Sequence, residues 1–150
     1  MAKITTIIDI GSNSMRMVVF KKSSRFGFHL INETKSKVKI SEGCYENNGN
    51  LQDIPLQRAY NALKSFLQIA KNSKSRKILC VATSALRDAP NGKDFVKKIS
   101  KELGLNIKVI DGTKEAYYGG IAALNLLPQK SFVTVDIDGG STEFSFVHEK

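Results

Sequence analysis

The sequence is 150 residues long, 41% hydrophobic and 25% charged, with two cysteines; this is the balance of a soluble globular chain holding one domain, or one domain and the start of another. A chain of this length buries roughly 68–70% of its unfolded surface, so its core needs neither disulfide nor structural metal, and Cys44 and Cys80, with no metal-ligand spacing, read as free thiols of a reducing cytosol. Nothing approaches ~20 consecutive apolar residues, which excludes a signal peptide or membrane span and places the expected protein in the cytoplasm, and the net charge of +9 favours polyanionic partners without supplying a nucleic-acid motif or aromatic platform.

In chain order, "TTIIDI" reads as a buried strand, and after the small-residue loop "GSNS" the stretch "MRMVVFKK" reads as a second. "SSRFG" is a turn signal, and "FHLINETKSKVKI" supplies one or two further strands, so the chain opens as a β-meander. The Gly- and Asn-rich "SEGCYENNGN" is a loop. Leu56, Ala59, Tyr60, Leu63, Phe66, Leu67 and Ala70 then recur at helical spacing, with Asp53 as the expected cap and Pro55 in the first turn. "KILCVA" is a buried strand, and "TSALRDAPNG" links it to a helix with Phe95, Val96, Ile99 and Leu103 on its inner face and Gly104 at its stop. "NIKVID" is another strand. A third helix is expected from Thr113 to Leu127, interrupted at Gly119–Gly120, before a closing pair of strands, "SFVTVDI" and "STEFSFVHE". Strands alternating with helices in this order predict a mixed sheet flanked by helices.

One device appears twice. "TIIDIGSNSMRMVVF" (Thr6 to Phe20) and "TVDIDGGSTEF" (Thr134 to Phe144) each run apolar residues into Asp-Ile, then a loop of small residues, then a second apolar run. A tight loop of this composition exposes successive backbone N–H groups as an anion nest, and small side chains let phosphate oxygens approach. Asp9 and Asp136 cannot bind phosphate directly, but each can hold Mg²⁺ or its waters. Neither copy matches GxxxxGK[ST], and each loop returns into a strand instead of opening a helix, so this is not a Walker loop. "ATSALRDA" follows a buried strand with an Arg: Arg87 reads either as a phosphate fork or as a surface pair with Asp88. Glu115 falls in the first turn of the third helix, as a catalytic carboxylate or as a complement to the helix dipole.

"DIGSNSMRMVV", "CVATSALRDAPN", "GTKEAYYGGIAAL" and "VDIDGGSTE" resemble, in order and spacing over nearly the whole chain, the exopolyphosphatase / guanosine pentaphosphate phosphohydrolase (Ppx/GppA) family. The resemblance implies an α/β, actin-like ATPase (RNase H-type) fold of two lobes enclosing a phosphate cleft. It also implies Mg²⁺-dependent release of terminal phosphate from inorganic polyphosphate or pppGpp. Carried over by position, Glu115 is the base, Asp136 and Glu143 are its acidic partners, and Ser12, Asn13 and Ser14 form the first phosphate loop with Asp9 behind them. Arg87 grips substrate, and Gly139, Gly140, Ser141 and Thr142 form the second loop.

Two departures sharpen these expectations. Asp138 stands where the family carries Gly, which implies either weaker phosphate binding or an extra Mg²⁺ ligand beside Asp9 and Asp136, and strain if the position needs positive φ. The expected division is a lobe over residues 1–126 and the opening hairpin of a second lobe over residues 127–150, with poor catalysis by this piece alone and homodimerisation by strand or hairpin exchange across its open edges. The expected ligand is polyphosphate or guanosine penta- or tetraphosphate; a non-catalytic polyphosphate- or nucleotide-binding module is the alternative.

Overall fold

The first Asp-Ile segment is anchored in the middle of a five-stranded sheet. The computed structural model describes residues 3–25, 27–129 and 131–148. Phe26 of the "SSRFG" turn and Glu149, at the end of the last expected strand, lie outside the described residues. β1 (Lys3–Ile10) pairs antiparallel with β2 (Met15–Lys22), and β2 pairs antiparallel with β3 (Phe28–Ser36). On its other edge β1 runs parallel to β4 (Lys77–Ala82), and β4 runs parallel to the short β5 (Ile107–Val109). The sheet is therefore mixed, as the element order predicts.

One face of this sheet carries Ile8, Ile10, Met15, Met17, Val19, Cys80 and Ala82, all buried. Two amphipathic helices cover it. α1 (Asp53–Asn72) contributes Ala59, Leu63 and Phe66 to the core, and α3 (Gly92–Leu103) contributes Phe95 and Ile99. Burying each large side chain is worth roughly 1.5–3 kcal/mol, so this layer holds the sheet flat against its helices. Between them lies α2 (Ser84–Asp88), a five-residue helix within the stretch the sequence reads only as a link. Its single turn is too short to leave a periodic signal. At its far side Gly92 lies so close to α2 that an added Cβ would stand 2.2 Å from the Leu86 carbonyl oxygen.

α4 (Gly112–Leu126) packs on a separate two-stranded sheet, β6 (Ser131–Ile137) with β7 (Thr142–His148). Helix and hairpin are tied by the Ser145 hydroxyl, which donates to the Ala116 carbonyl. The opposite face of the hairpin presents Val133, Val135, Ile137, Phe144 and Phe146, all exposed. Among the described residues no helix is long and apolar enough to cross a membrane.

Four local expectations change. α4 is continuous through Gly119–Gly120, because Gly120 is buried where an added Cβ would sit 3.2 Å from Ser145 Cβ; packing on the hairpin overrides glycine's poor helix propensity. Asp53 is the first helical residue, not the cap; Gln52 holds the cap position. The "FHLINETKSKVKI" segment makes one strand only, and beyond Ser36 the chain leaves the sheet, passing through a left-handed turn at Lys39 (φ 46°). Val38 and Ile40 nevertheless remain buried. "NIKVID" yields a strand of three residues.

Two of the helix glycines, Gly119 and Gly92, test this account. Gly119 has open space where a Cβ would be added, so Gly119→Ala is expected to stabilise the protein by about 0.5–1 kcal/mol through helix propensity alone. Gly92→Ala must displace backbone and is expected to cost about 1–3 kcal/mol or more. Urea unfolding midpoints of the two variants should move in opposite directions.

Candidate functional site

Because β1, β4 and β5 are parallel, their carboxyl ends lie along one edge of the sheet, the place where α/β sheets present ligand-binding loops. The loop Gly11–Ser14 leaves β1 there, α2 follows β4, and α4 follows β5. Ser12, Ser84, Arg87 and Glu115 thus reach one edge from three separate elements.

The repeated device is a structural repeat in detail. Gly11 N–H donates to the Ser14 carbonyl at 3.2 Å, and Asp138 N–H donates to the Ser141 carbonyl at 2.9 Å; both loops are closed by the same bond, 127 positions apart (138 − 11). The ladders match too: Asp9 faces Arg16 across β1–β2, and Asp136 faces Glu143 across β6–β7 (136 − 9 and 143 − 16 are both 127). In the first loop the Ser12 and Asn13 carbonyls accept from the Ser41 and Lys39 N–H groups. The loop is held through its acceptors, while the N–H groups of Ser12, Asn13 and Ser14 meet no protein acceptor among the described residues. The N–H groups of Gly139, Gly140 and Ser141 are open in the same way. Open, consecutive donors are the feature an anion nest requires.

The two loops meet. Ser12 and Ser84, both buried, share a hydroxyl hydrogen bond of 2.9 Å, and Gly140 lies against it. A Cβ on Gly140 would stand 2.7 Å from Ser12 Oγ and 2.8 Å from Ser84 Oγ, so any other residue obliges this hydroxyl pair to shift. Gly139 lies looser over Ser12 and Asn13, at 3.7 Å. Ser84 is not among the site residues read from the sequence; its place in the Thr-Ser pair that follows the apolar strand "KILCVA" was the available signal. A cavity of about 200 Å³ opens beside this junction, lined in part by Ser12, Ser41, Cys44, Ser84, Asp88 and Gly140.

Both readings of Arg87 and Glu115 meet in one contact. Arg87 Nη1 donates to Glu115 Oε2 at 2.9 Å and to the Ile110 carbonyl at 3.3 Å, while Nε donates to Asp88 Oδ1 at 3.1 Å. Hydrogen bonds to Glu115 and Asp88 raise the guanidinium pKa against the opposing effect of partial burial, which is the largest single influence. Glu115 lies in the first turn of α4, which Asp111 caps by accepting from Lys114 N–H at 2.7 Å.

Carboxylates gather around this edge. Desolvation raises the pKa of Asp9, and so do the charges of Asp138, Glu115 and Asp136, against the opposing charge of Arg16. Asp138 is raised in turn by desolvation and by Asp136 and Glu143. Glu143 is buried, and its Oε2 has no hydrogen-bond partner; Ser141 Oγ is also buried without one. Thr142, the first residue of β7, is exposed. Among the described residues no group of three or more His, Cys, Asp or Glu side chains is arranged to hold a metal ion. The strain foreseen at Asp138 is absent: positive φ among the described non-glycine residues is confined to Lys39, Asn48 and Lys74. Behind the site, burial and the Asp9 charge push the Cys80 thiol up to about 12, which keeps it protonated and inert.

A mixed sheet backed by helices, with a repeated hairpin loop at the carboxyl ends of its parallel strands, defines an actin-like, RNase H-type lobe. The chain belongs to the Ppx/GppA phosphatase family, whose model matches residues 18–150. It is similar to the crystal structure of the Aquifex aeolicus Ppx/GppA family member (28% identity, TM-score 0.85), covering 99% of this chain and 48% of that one. It is also similar to an exopolyphosphatase from Cytophaga hutchinsonii (26% identity, TM-score 0.87), covering 97% and 47%. The fold alone extends to the ethanolamine utilization protein EutJ of Carboxydothermus hydrogenoformans, at 14% identity and a TM-score of 0.52. The chain spans about half the length of these relatives.

The raised proton affinity of Asp9 has a measurable sign. Its folded pKa lies above the ordinary value of 3.8, so the stability it contributes is fully present below that value and is lost as pH rises through the folded pKa. Asp9→Asn is therefore expected to be more stable than the parent at pH 7, with the gap closing as pH falls toward 3.8. Urea unfolding of both proteins across that range checks it.

Proposed function

We propose that this chain supplies the phosphate-binding, base-carrying lobe of a phosphohydrolase that releases terminal phosphate from inorganic polyphosphate or pppGpp. The observation that carries this reading is the junction of two loops closed by the same hydrogen bond, with open N–H groups, at the Ser12–Ser84 pair under Gly140. Phosphoryl transfer asks for positioning, charge neutralisation and an oriented water, and little else of the protein. The N–H groups of residues 12–14 and 139–141 hold non-bridging oxygens, and Arg87 adds a planar cation. Glu115 orients a water whose oxygen attacks the terminal phosphorus. The bridging P–O bond breaks, the shortened polyphosphate departs, and the water's proton passes to the Glu115 carboxylate.

The donor set fits Mg²⁺ in its hydrated form. That ion commonly keeps several waters and takes one or two carboxylates plus substrate phosphates, so it needs no protein cage of three ligands. Like charges crowd Asp9, Asp136 and Asp138, and the unpartnered buried oxygen of Glu143 adds to them, an accumulation that a divalent cation relieves. One or two of Asp9, Asp136 and Asp138 would hold it, directly or through its waters. Bound there, Mg²⁺ neutralises phosphate oxygens and polarises the bond to be broken.

A second reading, a polyphosphate- or nucleotide-binding module without catalysis, is favoured by one observation: the carboxylate assigned as base is already engaged by Arg87. Phosphate release from polyphosphate and from pppGpp in the presence of Mg²⁺ separates the two. With the parent protein active, Glu115→Ala is expected to lower turnover by about 10²–10⁴-fold; equal release by both proteins removes Glu115 from the mechanism. Asp138→Gly is expected to change the KM for polyphosphate or its Mg²⁺ dependence, and an Asp138→Gly protein unchanged in both would show that this carboxylate touches neither ligand.

A further inference from the structure

Three of the five N–H donors of Arg87, the one on Nε and the two on Nη1, are engaged before a substrate arrives. In the free protein two carboxylates and one carbonyl share its guanidinium: Glu115, Asp88 and Ile110. The Glu115 contact is the sheltered one, with the two side chains only 23% and 10% exposed. Asp88 is largely exposed, so water competes for its bond and that pair is weak. A general base needs an oxygen within reach of the attacking water and not committed to another donor. Of the two Glu115 oxygens, Oε2 is committed, at 2.9 Å, to a cation that lies three residues after Ser84.

The two partners also belong to different packing units. Arg87 closes the single turn of α2, which packs on α3 and β4 of the main sheet; Glu115 opens α4, which packs on β6 and β7. The ion pair is thus a tie across the edge where the two loops meet. After Arg87 the chain leaves helical geometry within two residues, at Ala89 (φ −73°, ψ 130°).

We infer that Arg87 is a substrate-operated latch on Glu115: it holds the carboxylate while the cleft is empty and releases it when a polyphosphate anion takes the guanidinium. A phosphate offers a planar guanidinium two charged oxygens at once, whereas Glu115 accepts from it through one. A phosphate that forks onto the Nη1–Nη2 edge exchanges the single Glu115 contact for a forked phosphate contact and, in the same step, frees Glu115 Oε2 toward water. The latch rests on the reading of Glu115 as the base, and it adds that substrate itself exposes that base, so a cleft without polyphosphate keeps it covered.

The test is a binding cycle with inorganic triphosphate at fixed Mg²⁺ and 0.15 M salt, read by calorimetry, which requires no turnover. Removing the competing carboxylate in Glu115→Gln should tighten triphosphate binding by about three- to tenfold. The same change made in an Arg87→Gln background should give a smaller gain, because no latch remains to release; plain charge repulsion predicts an equal or larger gain there, with the arginine's screening removed. Should Arg87→Gln not fold, Arg87→Lys takes its place and is expected to keep part of the gain. In parallel, the Glu115 side-chain carbon and the Arg87 guanidinium nitrogens of the labelled parent protein should shift together on titration, at the midpoint shown by the backbone amides of Gly139–Thr142. Triphosphate binding with zero coupling, or with a stationary Glu115 signal, overturns the latch and leaves the phosphate-binding reading standing. An absence of binding, with no amide of either loop moving, overturns both.

Discussion

The approach of Gly140 to the Ser12–Ser84 hydroxyl pair is the constraint on which the site depends. It is the point where a loop from the main sheet, a turn from α2 and a loop from the separate hairpin are in contact, and a side chain at residue 140 would oblige the hydroxyl pair between them to shift. Everything that gives the site its chemistry follows from that spacing: two rows of open N–H donors on facing loops, and the carboxylates of one hairpin within electrostatic reach of Asp9 on the other. The parallel pairing of β1, β4 and β5 stands behind it, since an antiparallel arrangement would send α2 and α4 to the opposite edge.

Local pattern carried most of the fold. Strands with alternating or continuous apolar residues, and helices with three- and four-residue spacing, were legible because their burial demands those periods. The elements that escaped are those in which tertiary contact outweighs local preference. α2 has one turn and no period to read. α4 runs through two glycines because the hairpin lies against Gly120. The segment after Ser36 keeps its apolar residues buried without joining the sheet, since its N–H groups are spent on the first loop at Ser12 and Asn13.

The site was legible as an inventory and less so as an arrangement. Small-residue loops after Asp-Ile announce themselves because anion binding requires exposed backbone. The engagement of Arg87 by Glu115, 28 residues apart, and the role of Ser84 depend on which strand ends lie side by side, and no spacing along the chain records that. Asp138 illustrates the reverse: its charge was readable as a disturbance of the nest, whereas its backbone conformation is ordinary.

The two hairpins share a register, yet they are electrically unlike. In the first, Asp9 stands across from Arg16 and the pair is formally neutral; in the second, Asp136 stands across from Glu143 and Asp138 adds a third negative charge. Geometric symmetry combined with charge asymmetry gives the cleft a polarity. A linear anion laid between the loops meets bare donors and a nearby cation on one side, and donors backed by three carboxylates on the other. On the proposed reading its two directions of entry are therefore inequivalent, and a polyphosphate, whose terminal phosphate differs from its interior ones, would meet a preferred end.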